Sequence, residues 1–201
     1  MSRAPPGHVR IIGGQWRGSK LPAADVAGLR PSADRVRETL FNWLQPKLPG
    51  ARVLDLFAGT GALGFEAASR GAAQVVLVER DPALAASLRA SVARLHAENV
   101  EIVCDDGLRW LARDPHIRFD LVLLDPPFDA ALWRPALAAL QPWLAADAWL
   151  YLESPRDGVR IVPDGCIAHR EGVTREVRYA LYRRGAATIG DTPAEQDSAR
   201  A

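Results

Sequence analysis

VLDLFAGTGALG, at residues 53–64, is a short apolar strand that leads into a glycine-rich turn and then into a helix. Glycine accepts positive φ and has no Cβ to obstruct a ligand, and the helix that follows presents free backbone N–H groups. The alternation of strand and helix continues along the chain, which predicts a mostly parallel sheet with helices on both faces. The predicted strands are 52–56, 74–79, 100–104, 119–124 and 148–153, and the predicted helices include 62–70, 107–113 and 132–144.

The two ends of the chain break this alternation. Residues 9–21 read as a β-hairpin around Gly13-Gly14, followed by a loop at 22–31 and a helix that Asp34 caps. Residues 165–171 and 175–183 read as two further strands joined by Gly172-Val173-Thr174, which adds an antiparallel strand to the sheet. We therefore expect a basic hairpin and loop at 1–30, a main domain at 31–184 and a disordered tail at 185–201.

Composition restricts the class of protein. At 201 residues, with 48% hydrophobic and 24% charged residues, the chain fits one globular domain, and it lacks a stretch apolar enough to span a membrane. The first residues show no apolar signal core, so we expect a cytoplasmic protein, and a monomer. The four histidines and two cysteines lack metal-ligand spacing, so no metal is expected. Residues 1–50 hold eight bases and three acids, which indicates a polyanionic partner.

The tetrapeptide Asp125-Pro126-Pro127-Phe128 closes the apolar strand at 119–124. Two prolines cannot extend a central strand, because they lack the N–H that a sheet ladder needs. The chain therefore leaves the sheet with a carboxylate, rigid carbonyls and an aromatic ring at the strand's carboxyl end, where open α/β sheets bind ligands. The tetrapeptide resembles the active-site motif of S-adenosylmethionine-dependent methyltransferases that modify exocyclic or amide nitrogens. A proline-rich turn with no function is the alternative.

The turn at 55–64 resembles the methyl-donor loop of the same enzymes. Gly59, Gly61 and Gly64 form G-x-G-x-x-G, which nicotinamide-binding sheets share. Asp55 favours the methyltransferase version, in which a carboxylate faces the ammonium of the methionine moiety, because it would repel the pyrophosphate of a nicotinamide cofactor. Glu79 ends the next strand, 20 residues after Gly59, where a carboxylate accepts hydrogen bonds from ribose hydroxyls.

Over residues 9–184 the chain resembles the bacterial 16S ribosomal RNA guanine-N2 methyltransferases of the RsmD family. The segments at 10–18 and 30–44 are much more specific to that family than those at 55–64 and 125–128, which occur across many methyltransferases. Ser32 departs from the family's usual threonine but keeps the hydroxyl. The resemblance implies a seven-stranded, Rossmann-like methyltransferase sheet with an N-terminal β-hairpin appendage. It also implies guanine-966 of the small-subunit RNA as the target, on an assembling small-subunit particle.

The candidate residues fall into three groups. Asp125, Pro126, Pro127 and Phe128 are the predicted catalytic residues, which hold the target amine and stack on its base. The predicted S-adenosylmethionine contacts are Asp55, Phe57, Ala58, Gly59, Gly61, Glu79, Arg80, Asp106 and Gly107. The predicted RNA contacts are Arg10, Arg17, Arg35 and Arg37. Arg35 and Arg37 lie about 200° apart on a helix, so one, preferably Arg37, is expected to turn toward the pocket.

Three alternatives stay open at this point. A nicotinamide oxidoreductase explains the glycine turn but not residues 125–128. An N6-adenine DNA or RNA methyltransferase, or a protein glutamine methyltransferase, shares the tetrapeptide but usually carries tyrosine as its aromatic residue and lacks the basic N-terminal segment. A non-catalytic RNA-binding protein would have no need for an intact donor loop.

Overall fold

The computed structural model describes residues 7–23, 31–127, 132–158 and 160–185. Two strands form a separate small sheet, and seven strands form the main sheet, with five α-helices in the described part of the chain. The strands are β1 Gly7–Arg10, β2 Lys20–Ala23, β3 Arg52–Asp55, β4 Gln74–Glu79, β5 Val100–Cys104, β6 Phe119–Leu124, β7 Leu144–Pro155, β8 Cys166–Val173 and β9 Val177–Arg184. The helices are α1 Pro31–Leu44, α2 Ala62–Ser69, α3 Pro82–Leu95, α4 Gly107–Leu111 and α5 Trp133–Leu140.

The main sheet has the strand order β5-β4-β3-β6-β7-β9-β8, and β9 is antiparallel to both of its neighbours. This confirms the predicted mostly parallel seven-stranded sheet with its closing hairpin. After β3 the chain continues to β4 on one side of it in the strand order, whereas after β6 it continues to β7 on the other side. The neighbouring strands β3 and β6 therefore form the topological switch point. Ligands of open α/β sheets bind outside the carboxyl ends of the strands at such a point.

Alternation along the strands divides the core into two layers. Val53, Leu77, Leu121 and Tyr151 face one layer, shared with α1, α2 and α3, whereas their chain neighbours face the layer under α4 and α5. Because successive side chains of a strand point to opposite faces, a residue at a strand end lies on the same face as the residue two positions before it. Asp55 follows the parity of Val53, which places it above the first layer.

Element boundaries differ from the predicted ones mainly at three places. Helix α1 begins at Pro31 rather than after Asp34, since proline is well suited to the first helical position. Helix α5 ends at Leu140, where Pro142 lies in a short 3₁₀ turn, and β7 then begins four residues earlier than predicted. The last hairpin turns at residues 174–176, not 172–174.

The N-terminal hairpin is wider than predicted. The predicted tight turn at Gly13-Gly14 is wrong: β1 and β2 are joined by residues 11–19, whose backbone groups bond both to one another and to helix α2. The N–H groups of Ile12 and Gly13 donate to Glu66, and that of Trp16 donates to Ser69 Oγ. Val9, Ile11, Trp16 and Leu21 are buried in the first core layer. The predicted N-terminal hairpin is therefore present as a separate two-stranded sheet, and its apolar side chains pack against the main domain.

Some predictions fall on residues that the structure does not describe. They are the catalytic assignment of Phe128, part of the loop at 22–31 and almost all of the tail at 185–201. In the described ranges, we find no helix that is both long and apolar enough to cross a membrane.

Candidate active site at the carboxyl edge of the sheet

A cavity of about 710 Å³ opens at the carboxyl ends of β3, β4, β6 and β7. Its volume lies in the range of small-molecule sites, and its position is the switch point of the sheet. It brings together most of the predicted catalytic and cofactor residues, namely Asp55, Phe57, Ala58, Gly59, Glu79, Arg80, Asp106, Gly107, Asp125, Pro126 and Pro127.

Asp55 is held at the end of β3 by the helix that follows the turn. Its Oδ2 accepts a hydrogen bond from Gly64 N at 2.9 Å, and the residue is 2% exposed. A Cβ at position 64 would lie 3.1 Å from that oxygen and 2.7 Å from Leu77, so glycine is what permits the contact. Burial raises the pKa of Asp55 to about 7, and the Glu79 carboxylate adds to the shift.

The two glycines of the turn have different functions. Gly59 has a φ of +52°, and a Cβ there would meet no atom within 4 Å, so its surface faces open space in the cavity. Gly61 precedes α2 in the left-handed conformation, and a Cβ there would lie 2.6 Å from Leu88. Gly61 therefore shapes the turn and its packing, and the cavity lining does not include it.

Glu79 ties the glycine turn to the next loop. Its Oε2 accepts from Gly59 N at 2.8 Å, and its Oε1 accepts from Asp81 N at 2.8 Å. Asp81 in turn caps α3 by accepting from two backbone N–H groups of its first turn. A single carboxylate at the end of β4 thus links two parts of the cavity wall, the glycine turn after β3 and the loop before α3.

The two acids that follow β5 have different environments: Asp105 is structural, and Asp106 is a candidate binding residue. The Asp105 carboxylate is buried and contacts the guanidinium groups of Arg109 and Arg113. Asp106 is exposed and caps α4 through Oδ1 alone, by accepting from Leu108 N and Arg109 N. Within the described part of the chain, its second oxygen accepts no hydrogen bond and is available to a ligand, which fits the sequence-based choice of Asp106.

Asp125 lies beyond β6, next to the carboxyl end of β7. Leu124 pairs with Leu152, so the same register carries Asp125 alongside Glu153. The Asp125 side chain lines the cavity, and none of the described residues donates a hydrogen bond to it. Burial raises the pKa of Asp125 well above its usual value, and the carboxylates of Glu153 and Asp55 raise it further.

Sequence reasoning missed one wall of the cavity. Glu153 lines it near the end of β7, Thr174 and Glu176 line it from the turn between β8 and β9, and Val177 lines it from the start of β9. The signal for Glu153 was available, because it is an acid at the carboxyl end of a strand, as Glu79 is. The turn carried no such signal, since its approach depends on the antiparallel pairing of β9 with β7.

The four predicted RNA-contacting arginines occupy two kinds of environment. Arg10, Arg17 and Arg35 are exposed. Arg37 is 5% exposed, and its Nη2 donates to the Arg10 carbonyl at 2.6 Å and to Asp34 at 2.9 Å. The expectation that Arg37 turns toward the pocket does not hold, because its guanidinium joins α1 to β1, and we leave it out of the RNA-facing set.

Comparison with known proteins identifies the family. The family model described as Conserved hypothetical protein 95 matches residues 9–183. Ribosomal RNA small subunit methyltransferase D of Escherichia coli K12 is 47% identical over 90% of this chain and 92% of its own length. The Haemophilus influenzae protein of the same name is 42% identical over 88% and 94%.

Solved structures agree with this result. The Escherichia coli protein yhhF, whose provisional description is a methyltransferase, superposes with a TM-score of 0.81 at 46% identity, covering 90% of this chain and 99% of that one. The chain belongs to the ribosomal RNA small subunit methyltransferase D family, and its fold is that of the methyltransferases that use S-adenosylmethionine as the methyl donor.

Proposed function

We propose that this protein transfers a methyl group from S-adenosylmethionine to the exocyclic N2 of guanine-966 in 16S ribosomal RNA, on an assembling small-subunit particle. The observation that carries the proposal is the placement of Asp125, Pro126 and Pro127 in one cavity with Asp55 and Glu79. The two relatives, which align with 90% and 88% of this chain, are small-subunit ribosomal RNA methyltransferases, which supports the RNA substrate. The nucleotide and its N2 atom rest on the family resemblance of residues 10–18 and 30–44.

The residues present fit the cofactor. Gly59 leaves open space at the wall of the cavity, and Asp55 offers a carboxylate to the ammonium of the methionine moiety. In this proposal Glu79 accepts from ribose hydroxyls and the second carboxylate oxygen of Asp106 accepts from the adenine amino group; both residues line the cavity. When bound, S-adenosylmethionine supplies an electrophilic methyl group on sulfur.

The residues beside the cofactor site are proposed to bind the nucleophile, which is the exocyclic amine of the target base. An exocyclic guanine amine is a poor nucleophile because its lone pair is delocalised into the ring. Asp125 and the Pro126 carbonyl are suited to accept hydrogen bonds from that amine, which localises the lone pair and orients it. The two prolines fix these acceptors, since their φ angles are restricted. A paired base would hide the amine, so the target must be single-stranded or flipped out.

The direct test is transfer of labelled methyl groups to small-subunit particles that lack the modification, with the product nucleoside identified after digestion. We expect N2-methylguanosine at a single site. N6-methyladenosine would replace the proposal by the adenine alternative. Equilibrium binding of RNA without binding of S-adenosylmethionine would replace it by a non-catalytic RNA-binding function.

Replacing Glu79 with alanine should weaken S-adenosylmethionine binding by about tenfold or more. The change removes a charge-assisted acceptor for the ribose and also frees the Gly59 N–H that shapes the turn. Titration calorimetry gives the dissociation constant, with Glu101→Ala on the exposed side of β5 as the matched control. Equal affinities of the two variants would remove Glu79 from the site.

The affinity for S-adenosylmethionine should rise with pH up to about 7. The pKa of Asp55 is raised to about 7, so below that pH the carboxyl is protonated and must lose its proton to face an ammonium group. Each pH unit below 7 should weaken binding by up to about tenfold, and binding near pH 6 should release protons. Calorimetry in buffers of different ionisation enthalpy measures that release. Asp55→Asn should show weak binding with a reduced pH dependence; an identical pH profile would contradict the assignment.

Replacing Arg17 with alanine should lower the salt dependence of RNA binding by about one unit of log–log slope, as should Arg35→Ala. Both side chains are exposed, and contacts of arginine with the phosphate backbone release counterions. Affinity for the particle is measured at several salt concentrations, and S-adenosylmethionine binding serves as the control that should not change. A slope equal to that of the wild type in both variants would place the RNA elsewhere.

A further inference from the structure

We propose that Glu153 determines the choice of guanine, by accepting a hydrogen bond from the N1–H of the target base while Asp125 accepts from its N2 amine. This inference rests on the proposed function and adds a specificity-determining residue to it. It explains a feature that methyl transfer to an amine does not require, namely a second carboxylate beside Asp125 in the same cavity.

The sheet register places the two carboxylates side by side. Leu123 pairs with Tyr151 and Leu124 with Leu152 in the parallel β6–β7 ladder, so Asp125 and Glu153 occupy the next matched position. Neighbouring strands lie about 4.8 Å apart, so two side chains at a matched position can converge on one base. Asp125 lies two residues after Leu123, and Glu153 lies two residues after Tyr151. Leu123 and Tyr151 both face the first core layer, so Asp125 and Glu153 extend from that same face into the cavity.

Two contacts hold Glu153 in place. The hydroxyl of Tyr151, which is fully buried, donates to Glu153 Oε2 at 2.8 Å. Trp133 Nε1 donates to the Glu153 carbonyl at 2.9 Å, which fixes the backbone at the same point. Tyr151 contacts Oε2, and no residue in the described ranges donates to the other carboxylate oxygen, Oε1, so Oε1 is available to a ligand. Burial raises the pKa of Glu153, and the Tyr151 hydrogen bond acts in the opposite direction by favouring the ionised acceptor.

A pair of acceptors matches the Watson–Crick edge of guanine. Guanine presents two adjacent donors there, N1–H and the N2 amine, whereas adenine and cytosine present one amine beside a ring nitrogen that is itself an acceptor. An ionised Glu153 would face that ring nitrogen with no proton between them, which leaves two buried acceptors unpaired. Asp125 alone accepts from any exocyclic amine, so discrimination falls to Glu153. An acceptor on N1–H also increases electron density at N2, which assists the nucleophile.

The test compares two targets that share the N2 amine. Small-subunit particles are reconstituted with guanine or with 2,6-diaminopurine at the methylated position, the second base having an N1 acceptor in place of N1–H. We expect the wild type to prefer guanine in kcat/KM by about 10- to 100-fold, as one charge-assisted hydrogen bond allows. Glu153→Gln should reduce that ratio at least about tenfold, because the amide NH₂ donates to the N1 of diaminopurine.

Tyr151→Phe provides a second variant that keeps the shape of the core. Tyr151 is a positioning residue in this proposal, so its loss should lower the guanine preference by a smaller factor than Glu153→Gln, while S-adenosylmethionine affinity and thermal stability stay close to those of the wild type. Glu101→Gln, on the exposed side of β5, is the matched control and should keep the full preference.

The outcomes separate the two proposals. An unchanged preference in Glu153→Gln, or equal use of both bases by the wild type, overturns the assignment of Glu153 and leaves guanine methylation standing. A wild-type product other than N2-methylguanosine overturns the proposed function. If Glu153→Gln is recovered unfolded, an unchanged preference in Tyr151→Phe overturns the assignment.

Discussion

Replacing Asp125 with alanine should lower the rate of methyl transfer by at least about a hundredfold. The carboxylate lies in the cavity at the end of β6, and no described residue donates to it, so its acceptor capacity is available to the target amine. Removing one well-placed group that stabilises a transition state typically costs about 3–4 kcal/mol. Single-turnover transfer to the particle, with the labelled product counted, measures the loss.

Binding of S-adenosylmethionine to the same variant is the control. Asp55 and Glu79 remain in place, and they are the carboxylates assigned to the cofactor, so its dissociation constant should change by less than about threefold. Asp125→Asn keeps a carbonyl acceptor and should retain more transfer than Asp125→Ala. Turnover close to that of the wild type in the alanine variant would show that Asp125 does not address the amine.

Much of the fold and part of the site follow from local sequence. Alternating apolar strands and amphipathic helices determine a parallel sheet, and the carboxyl ends of its strands then meet at one edge. Asp55, Glu79 and Asp125 could be predicted as candidate site residues because each is an acid where an apolar strand ends. The structure places all three in one cavity. The position of an acid at a strand end predicts this shared location but not the partners of its side chain.

The remainder depends on partners that are distant in sequence. Glu153 becomes part of the site through the pairing of β6 with β7, and that register is not visible in either strand alone. The turn between β8 and β9 reaches the cavity only because β9 pairs with β7 in the antiparallel direction. Arg37 looked like a free base on a basic segment, but its partners are the Arg10 carbonyl and Asp34, and burial of the helix face decides its orientation.

The N-terminal segment shows the same dependence on distant partners. Glu66 on α2 is fully buried, and its two oxygens accept from Ile12 N at 2.7 Å, from Gly13 N at 2.8 Å and from Arg70 Nε at 2.7 Å. These donors lie 53 or 54 residues away in the first two cases. Together with the burial of Ile11 and Trp16, they make residues 9–21 a wall of the first core layer.

Replacing Glu66 with alanine should therefore destabilise the whole protein by about 3–5 kcal/mol. The change leaves two backbone N–H groups and a largely buried guanidinium without their acceptor, and it opens a cavity under the hairpin. For a chain of this length, the midpoint of thermal unfolding should fall by about 6–20 °C. Glu98→Ala, at an exposed position after α3, is the matched control and should stay within about 0.5 kcal/mol of the wild type. By the same argument, deletion of residues 1–21 would remove core side chains along with the basic surface, so RNA contacts are better tested by single arginine substitutions. A Glu66→Ala variant that unfolds at the wild-type temperature would show that the hairpin is only loosely attached to α2.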